Sequence, residues 1–153
     1  MTQEKSNNLE SIITIHNIIE SRFRMQHELV EHLDTKLALI ITFGGIIIAI
    51  IFQVEPNNRG LFFFLAVGFL IVSIILSFVA YKTEKYRRDP DPKMLTKKYL
   101  NKNKQQILKK VIANLNESYY ENKEKLKKKA KLLFLSLLSL VIGLVCLILR
   151  LIF

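Results

Sequence analysis

The chain has 153 residues, half of them hydrophobic, and its 23 Lys/Arg against 13 Asp/Glu give a formal net charge of +10. Its single cysteine, Cys146, excludes an intrachain disulfide and a cysteine metal cluster. The apolar residues are gathered into three long blocks without a polar face, which excludes an ordinary soluble helical domain.

The organising stretch is the first block. Residues 8–36 are expected to form an amphipathic helix. Asn7-x-x-Glu10 has the pattern of a capping box with Asn in place of Ser or Thr. Ile12, Ile15, Ile19, Phe23, Val30 and Leu33 then recur at helical spacing, with Gln26 as a polar break. No proline or glycine separates this helix from the apolar run at 37–54, so one continuous helix is expected to carry both. The run is long enough to cross roughly 30 Å of hydrocarbon. It begins too deep in the chain, behind an acidic segment, for a cleaved signal peptide.

Glu55-Pro56-Asn57-Asn58-Arg59-Gly60 reads as a tight turn. A second span at 61–81 follows. Residues 82–131 form a basic segment, with seventeen Lys/Arg against six Asp/Glu, and Asp89-Pro90-Asp91-Pro92 breaks its helical pattern. A short helix from Pro92 to about Leu100 is expected next. Asn103-x-x-Gln106 opens a last long helix, which runs into a third span at 132–153 if Arg150 snorkels. The fold class is therefore all-α: an integral membrane protein with three transmembrane helices, the first and last continuing into a long cytoplasmic helical stalk. The whole chain, 1–153, is one membrane domain.

Residues 1–36 hold four Lys/Arg against six Asp/Glu, so the basic excess lies in 82–131. The positive-inside rule places that segment in the cytoplasm of a multi-pass protein of the cytoplasmic (inner) membrane, with the N-terminus inside and the C-terminus outside. A basic segment also suits nucleic acid. Its position beside a span favours anionic lipid instead, and a nucleic-acid partner is not expected.

No catalytic constellation is visible. His27 and His32 are five residues apart, not the four that a shared metal on one helix face requires. There is no Ser–His–acid set and no Gly-rich phosphate loop. Enzyme activity, a metal and a cofactor are not expected. Asn116-Glu117-Ser118 matches a glycosylation acceptor but falls in the segment assigned to the cytoplasm.

Small residues lie on one face of each span: Gly45 with Ala49, Ser73 with Ser77, and Ser139 with Gly143. Such faces let membrane helices approach closely. They would serve packing within or between subunits, or a pore lined by several subunits, and a homo-oligomer is expected. Asp34 and Lys36 stand at the mouth of the first span, either as interfacial anchors or with Asp34 latched to a lysine of the 127–131 run. Parallel alignment of the first and last helices brings their stripes into one register and their polar breaks, Gln26 and Asn122, to one level. Gln26, Asn122, Asp34 and Lys36 are the candidate gating or register residues.

The run His32-Leu33-Asp34-Thr35-Lys36-Leu37-Ala38, followed by an Ile/Gly-rich span, resembles the transmembrane effectors of bacterial nucleotide-signalled antiphage systems. These are the Pycsar membrane effector and the related small two-span and SLATT-type domains. The stretch Asn114-Leu115-Asn116-Glu117-Ser118-Tyr119-Tyr120-Glu121-Asn122-Lys123, feeding a Lys-rich helix into a last span, is the second point of similarity. The resemblance implies a membrane protein that oligomerises or opens when a cyclic nucleotide or a cytoplasmic sensor protein signals infection, perturbing membrane integrity or potential. Arg87, Arg88, Lys123 and Tyr119 are then candidate contacts to a ligand or lipid phosphate. The alternative is a non-enzymatic, membrane-anchored helical scaffold that docks a cytoplasmic partner. A topology reporter fused after Phe153 should register the outside of the membrane and one inserted near Asn101 the cytoplasm. The reverse pattern would overturn the charge argument.

Overall fold

A computed structural model describes residues 2–54, 60–82, 86–87 and 103–152. Three helices make up the described chain: α1 Thr2–Val54, α2 Leu61–Tyr81 and α3 Lys104–Ile152. Each is long and apolar enough to cross a membrane. The chain is thus all-α, with three membrane-spanning candidates, and α1 and α3 continue as helices well beyond their apolar stretches. Most of the turn at 55–60, the Asp89–Pro92 break, the helix expected at Pro92–Leu100 and Arg88 lie outside the described residues.

Helix α1 starts earlier than the sequence implied. Its backbone is already helical at Thr2, so Asn7 is an interior position rather than a cap. Nothing in Thr2–Ser6 opposes a helix, and a capping pattern without a breaker before it does not force a start. At α3 the expected boundary holds: the Asn103 carbonyl accepts hydrogen bonds from the N–H groups of Gln106 and Ile107 at 2.9 and 3.1 Å.

The described residues fall into two compact units. One comprises Met1–Val30 with Lys85–Lys125, the other Glu31–Glu84 with Leu126–Phe153. In the first, Phe23, Val111 and Leu115 form the buried cluster, with Ile19, Ile107 and Tyr119 packed against it. The inward positions of α1 are Ile12, His16, Ile19, Phe23, Gln26 and Val30, and those of α3 are Val111, Leu115, Ser118, Asn122 and Lys125. Their spacings alternate between three and four. That rhythm corrects one expectation: Ile15 is 47% exposed, and His16 takes the inward position.

The second unit repeats the rhythm on three helices. Leu33, Leu37, Ile40 and Gly44 of α1 face inward, with Phe63, Ala66, Leu70, Ser73, Ser77 and Ala80 of α2 and Lys129, Leu133, Ser136, Ser139 and Gly143 of α3. The inward residues are small where helices meet most closely. A Cβ on Gly44 would stand 2.9 Å from Ile74 Cγ1, and one on Gly143 3.3 Å from the Ala66 carbonyl oxygen and 3.2 Å from Leu70 Cγ. The outward positions carry large apolar side chains such as Leu39, Phe43, Ile46, Phe64, Ile75, Phe78 and Phe134. Such a surface suits hydrocarbon or another apolar helix rather than water.

Gly143→Leu should therefore lower the thermal stability of the detergent-solubilised protein by the equivalent of about 1–3 kcal/mol of overpacking. Gly68→Leu, where an added Cβ meets nothing within 4 Å, should leave it unchanged. Equal effects would contradict this packing.

Candidate functional site

Two polar centres stand out because polar atoms are buried there against the general trend. The first lies in the unit of Met1–Val30 and Lys85–Lys125. Gln26 is 4% exposed, and its Nε2 donates to the Tyr119 carbonyl at 3.2 Å. Its Oε1 is buried without a hydrogen bond. Asn122 is fully buried and reads a backbone: Nδ2 donates to the Arg87 carbonyl at 2.9 Å, and Oδ1 accepts from the Arg87 N–H at 3.0 Å. The Arg87 guanidinium meets Glu121 at 3.2 Å and Glu117 at 3.6 Å. A side-chain amide carries one donor and one acceptor in fixed geometry, so it can pair with both polar groups of a single residue. Asn122 thereby ties the backbone of Arg87 to α3.

Both Gln26 and Asn122 are buried in this unit, and among the described residues no hydrogen bond joins them. Each has a separate backbone partner. Arg87 supplied the partner for Asn122, and no periodic pattern in the sequence announces that contact.

Beside this layer an open groove of about 110 Å³ is lined by Ile18, Ile19, Arg22, Asn116, Tyr119 and Tyr120. Of the anticipated ligand contacts, Tyr119 lines the groove, Lys123 is exposed, and Arg87 is held by two glutamates. The exposed cation in the groove is Arg22, which the sequence reading passed over because its hydrophobic neighbours dominate the stripe. Next to it, Ile15, Ile18, Met25 and Leu29 form a second apolar face on α1, each about half exposed.

The second centre lies in the unit of Glu31–Glu84 and Leu126–Phe153. Lys129 is 5% exposed, and its Nζ approaches Asp34 Oδ1 to 2.5 Å. The Asp34 latch is thus made with Lys129 of the 127–131 run, while Lys36 stays exposed. The two charged atoms meet at short range without the alignment of a hydrogen bond, so the contact is an ion pair first.

Above it, four serine hydroxyls join α2 to α3. Ser73 Oγ donates to the Ser136 carbonyl at 2.8 Å and Ser136 Oγ to the Ser73 carbonyl at 2.9 Å. With both protons so committed, Ser77 Oγ must donate to Ser136 Oγ, 2.6 Å away. Ser139 Oγ donates to the Phe69 carbonyl at 2.8 Å. Ser73, Ser77, Ser139 and Gly143 therefore serve packing within the chain. Gly45 and Ala49 do not: both are exposed on α1, and a Cβ on Gly45 would meet nothing within 4 Å.

The Pycsar effector protein domain matches residues 19–153. The chain belongs to that family. Searches of curated proteins and of solved structures found no match. Three apolar helices and this membership make the chain a multi-pass membrane protein and a membrane effector of antiphage defence. Both stretches that carried the resemblance, 32–38 and 114–123, lie inside the matched region.

Asp34→Ala removes the carboxylate that meets the buried Lys129 ammonium and should be destabilising, by up to about 3–5 kcal/mol. Lys129→Met should cost less, because Asp34 is 25% exposed and can draw on water. The double variant should recover most of the loss, as measured by a thermal double-mutant cycle in detergent. Strict additivity would show that the pair is not coupled.

Proposed function

We propose that this Pycsar effector acts without enzymatic chemistry, as a homo-oligomer in the cytoplasmic membrane that impairs membrane integrity or potential once infection is signalled. The observation that carries this reading is the outward face of α1. The small-residue faces of α2 and α3 are used up within the chain, while Gly45 and Ala49 remain open. A small-residue face at lipid depth lets a second helix approach closely, and lipid gains nothing comparable from it. The exposed stripe of Ile15, Ile18, Met25 and Leu29 adds a matching apolar surface outside the apolar run. Its spacings of three, seven and four residues keep it on one side of α1, with Arg22 in the gap, and suit association between copies.

The signal enters through the unit that holds the groove. Two tyrosine rings, the Asn116 amide and the Arg22 guanidinium offer stacking, hydrogen bonding and a charge to an aromatic anion such as a cyclic nucleotide. A sensor protein docking on the same face is the other source of a signal. In this reading the cytoplasmic parts of α1 and α3 form a stalk, with both helices entering the membrane from the same side and the C-terminus outside. Asp34–Lys129 is the contact whose loosening would let the spans move.

Expression of the effector with its signal should depolarise bacteria, read with a potential-sensitive dye. Gly45→Leu should abolish both depolarisation and the oligomer in lipid nanodiscs while leaving thermal stability intact, since an added Cβ there meets nothing within 4 Å. Depolarisation by an undiminished Gly45→Leu oligomer would refute the assembly face. Intact potential with the wild type would favour a scaffold.

A further inference from the structure

Each helix carries a lysine at one boundary of its apolar stretch. Lys36 precedes Leu37, Lys82 follows Tyr81 and Lys131 precedes Leu132. Along the chain these positions are unrelated. The fold brings them to one end of a single unit, because Leu37, Ile40, Ala80 and Leu133 form one buried cluster with Leu33 and Leu132 packed against it. Lys127 and Lys128 lie within about one turn of Lys131 on α3.

All five lysines are exposed, and among the described residues none of them is in an ion pair. Lys129 differs: it turns inward and is held by Asp34. With that acid engaged, Glu31 is the exposed acid near the cluster among the described residues of this unit, against five exposed lysines. Ammonium groups on flexible stems at the edge of hydrocarbon-facing helices reach headgroup depth. Charge of one sign collected from three helices attracts anions of the bilayer.

We propose that Lys36, Lys82, Lys127, Lys128 and Lys131 form a collar that binds the phosphodiester headgroups of anionic lipids in the leaflet at this end of the spans. The collar draws negative headgroups around the helix boundaries and couples the stability of the unit to lipid composition. It works whether or not a pore forms, so it stands apart from the assembly reading.

The full-length protein is reconstituted in phosphatidylcholine nanodiscs holding increasing phosphatidylglycerol. Thermal midpoint and the lipid retained on detergent extraction are then measured. Wild type should rise in midpoint with phosphatidylglycerol and retain it preferentially. A surface lysine contributes about a fivefold preference for an anionic surface, so Lys127→Gln, Lys128→Gln and Lys131→Gln together should remove most of the enrichment. Lys104→Gln, Lys109→Gln and Lys110→Gln together remove the same charge from exposed positions of the other unit and should leave the enrichment intact. Equal loss in both triple variants would reduce the effect to net charge and overturn the collar. Competition by soluble glycerol phosphate at matched concentration would overturn it too, by pointing to a phosphate pocket instead of a lipid surface.

Discussion

A long α-helix cannot keep one face on a neighbour without adjustment. At 3.6 residues per turn it drifts by about 20° per heptad against a 3.5-residue repeat, and the drift is removed by wrapping left-handed around the partner. The inward residues of this protein step by three and four throughout: Ile12 to Val30 and Leu33 to Gly44 on α1, Phe63 to Ala80 on α2, and Val111 to Lys125 on α3. This constraint determines which residues are buried, and it overrides hydrophobicity where the two disagree. His16 turns inward while Ile15 next to it does not: position 16 keeps the strict alternation of four and three that runs from Ile12 through Ile19, Phe23 and Gln26 to Val30.

The same rhythm carries two kinds of packing. In the unit that holds Phe23, the inward positions bury apolar side chains with a few amides and hydroxyls, each of which finds a backbone group. Ser118 bonds the Asn114 carbonyl of its own helix, Gln26 the Tyr119 carbonyl, and Asn122 both polar groups of Arg87. In the unit that holds the apolar stretches, transfer of apolar surface out of water cannot drive association, because lipid is already apolar. Close approach and hydroxyl bonds take over. The Ser73–Ser136 exchange and the Ser139–Phe69 bond show how α2 and α3 are joined without large side chains between them.

Charge is arranged with similar economy. One lysine is drawn inward and neutralised by Asp34, and its neighbours along α3 point outward. An inward ion pair contributes little net stability, but it is intolerant of losing one partner. That makes it a good determinant of which arrangement of α1 and α3 is allowed. At the other end of the spans, Arg150 lies 5.0 Å from the Phe63 ring centroid, an aromatic partner for a cation that begins the last turn of α3.

The sequence by itself determined the three apolar helices, the continuity of α1 and α3 and the membership of the family, because each depends on composition and period over many residues. Helical length and the absence of proline settle the first two, and the stretches at 32–38 and 114–123 point to the third. For Asp34 the sequence left two readings open, an interfacial anchor or a latch to the run of lysines at 127–131, since a charge at a membrane boundary is served by water as well as by a counter-charge. Only the tertiary structure selected Lys129, because all the lysines of the run are chemically equal and the 3.5-residue step turns just this one inward. The same holds for the small residues. Gly45, Ser73, Ser139 and Gly143 look alike in sequence, but Gly143 and the serines are enclosed and Gly45 is not. Asn122 was legible as a polar break in an apolar stripe, yet its partner is the backbone of Arg87. A backbone contact carries no side-chain signature, so folding alone could reveal it.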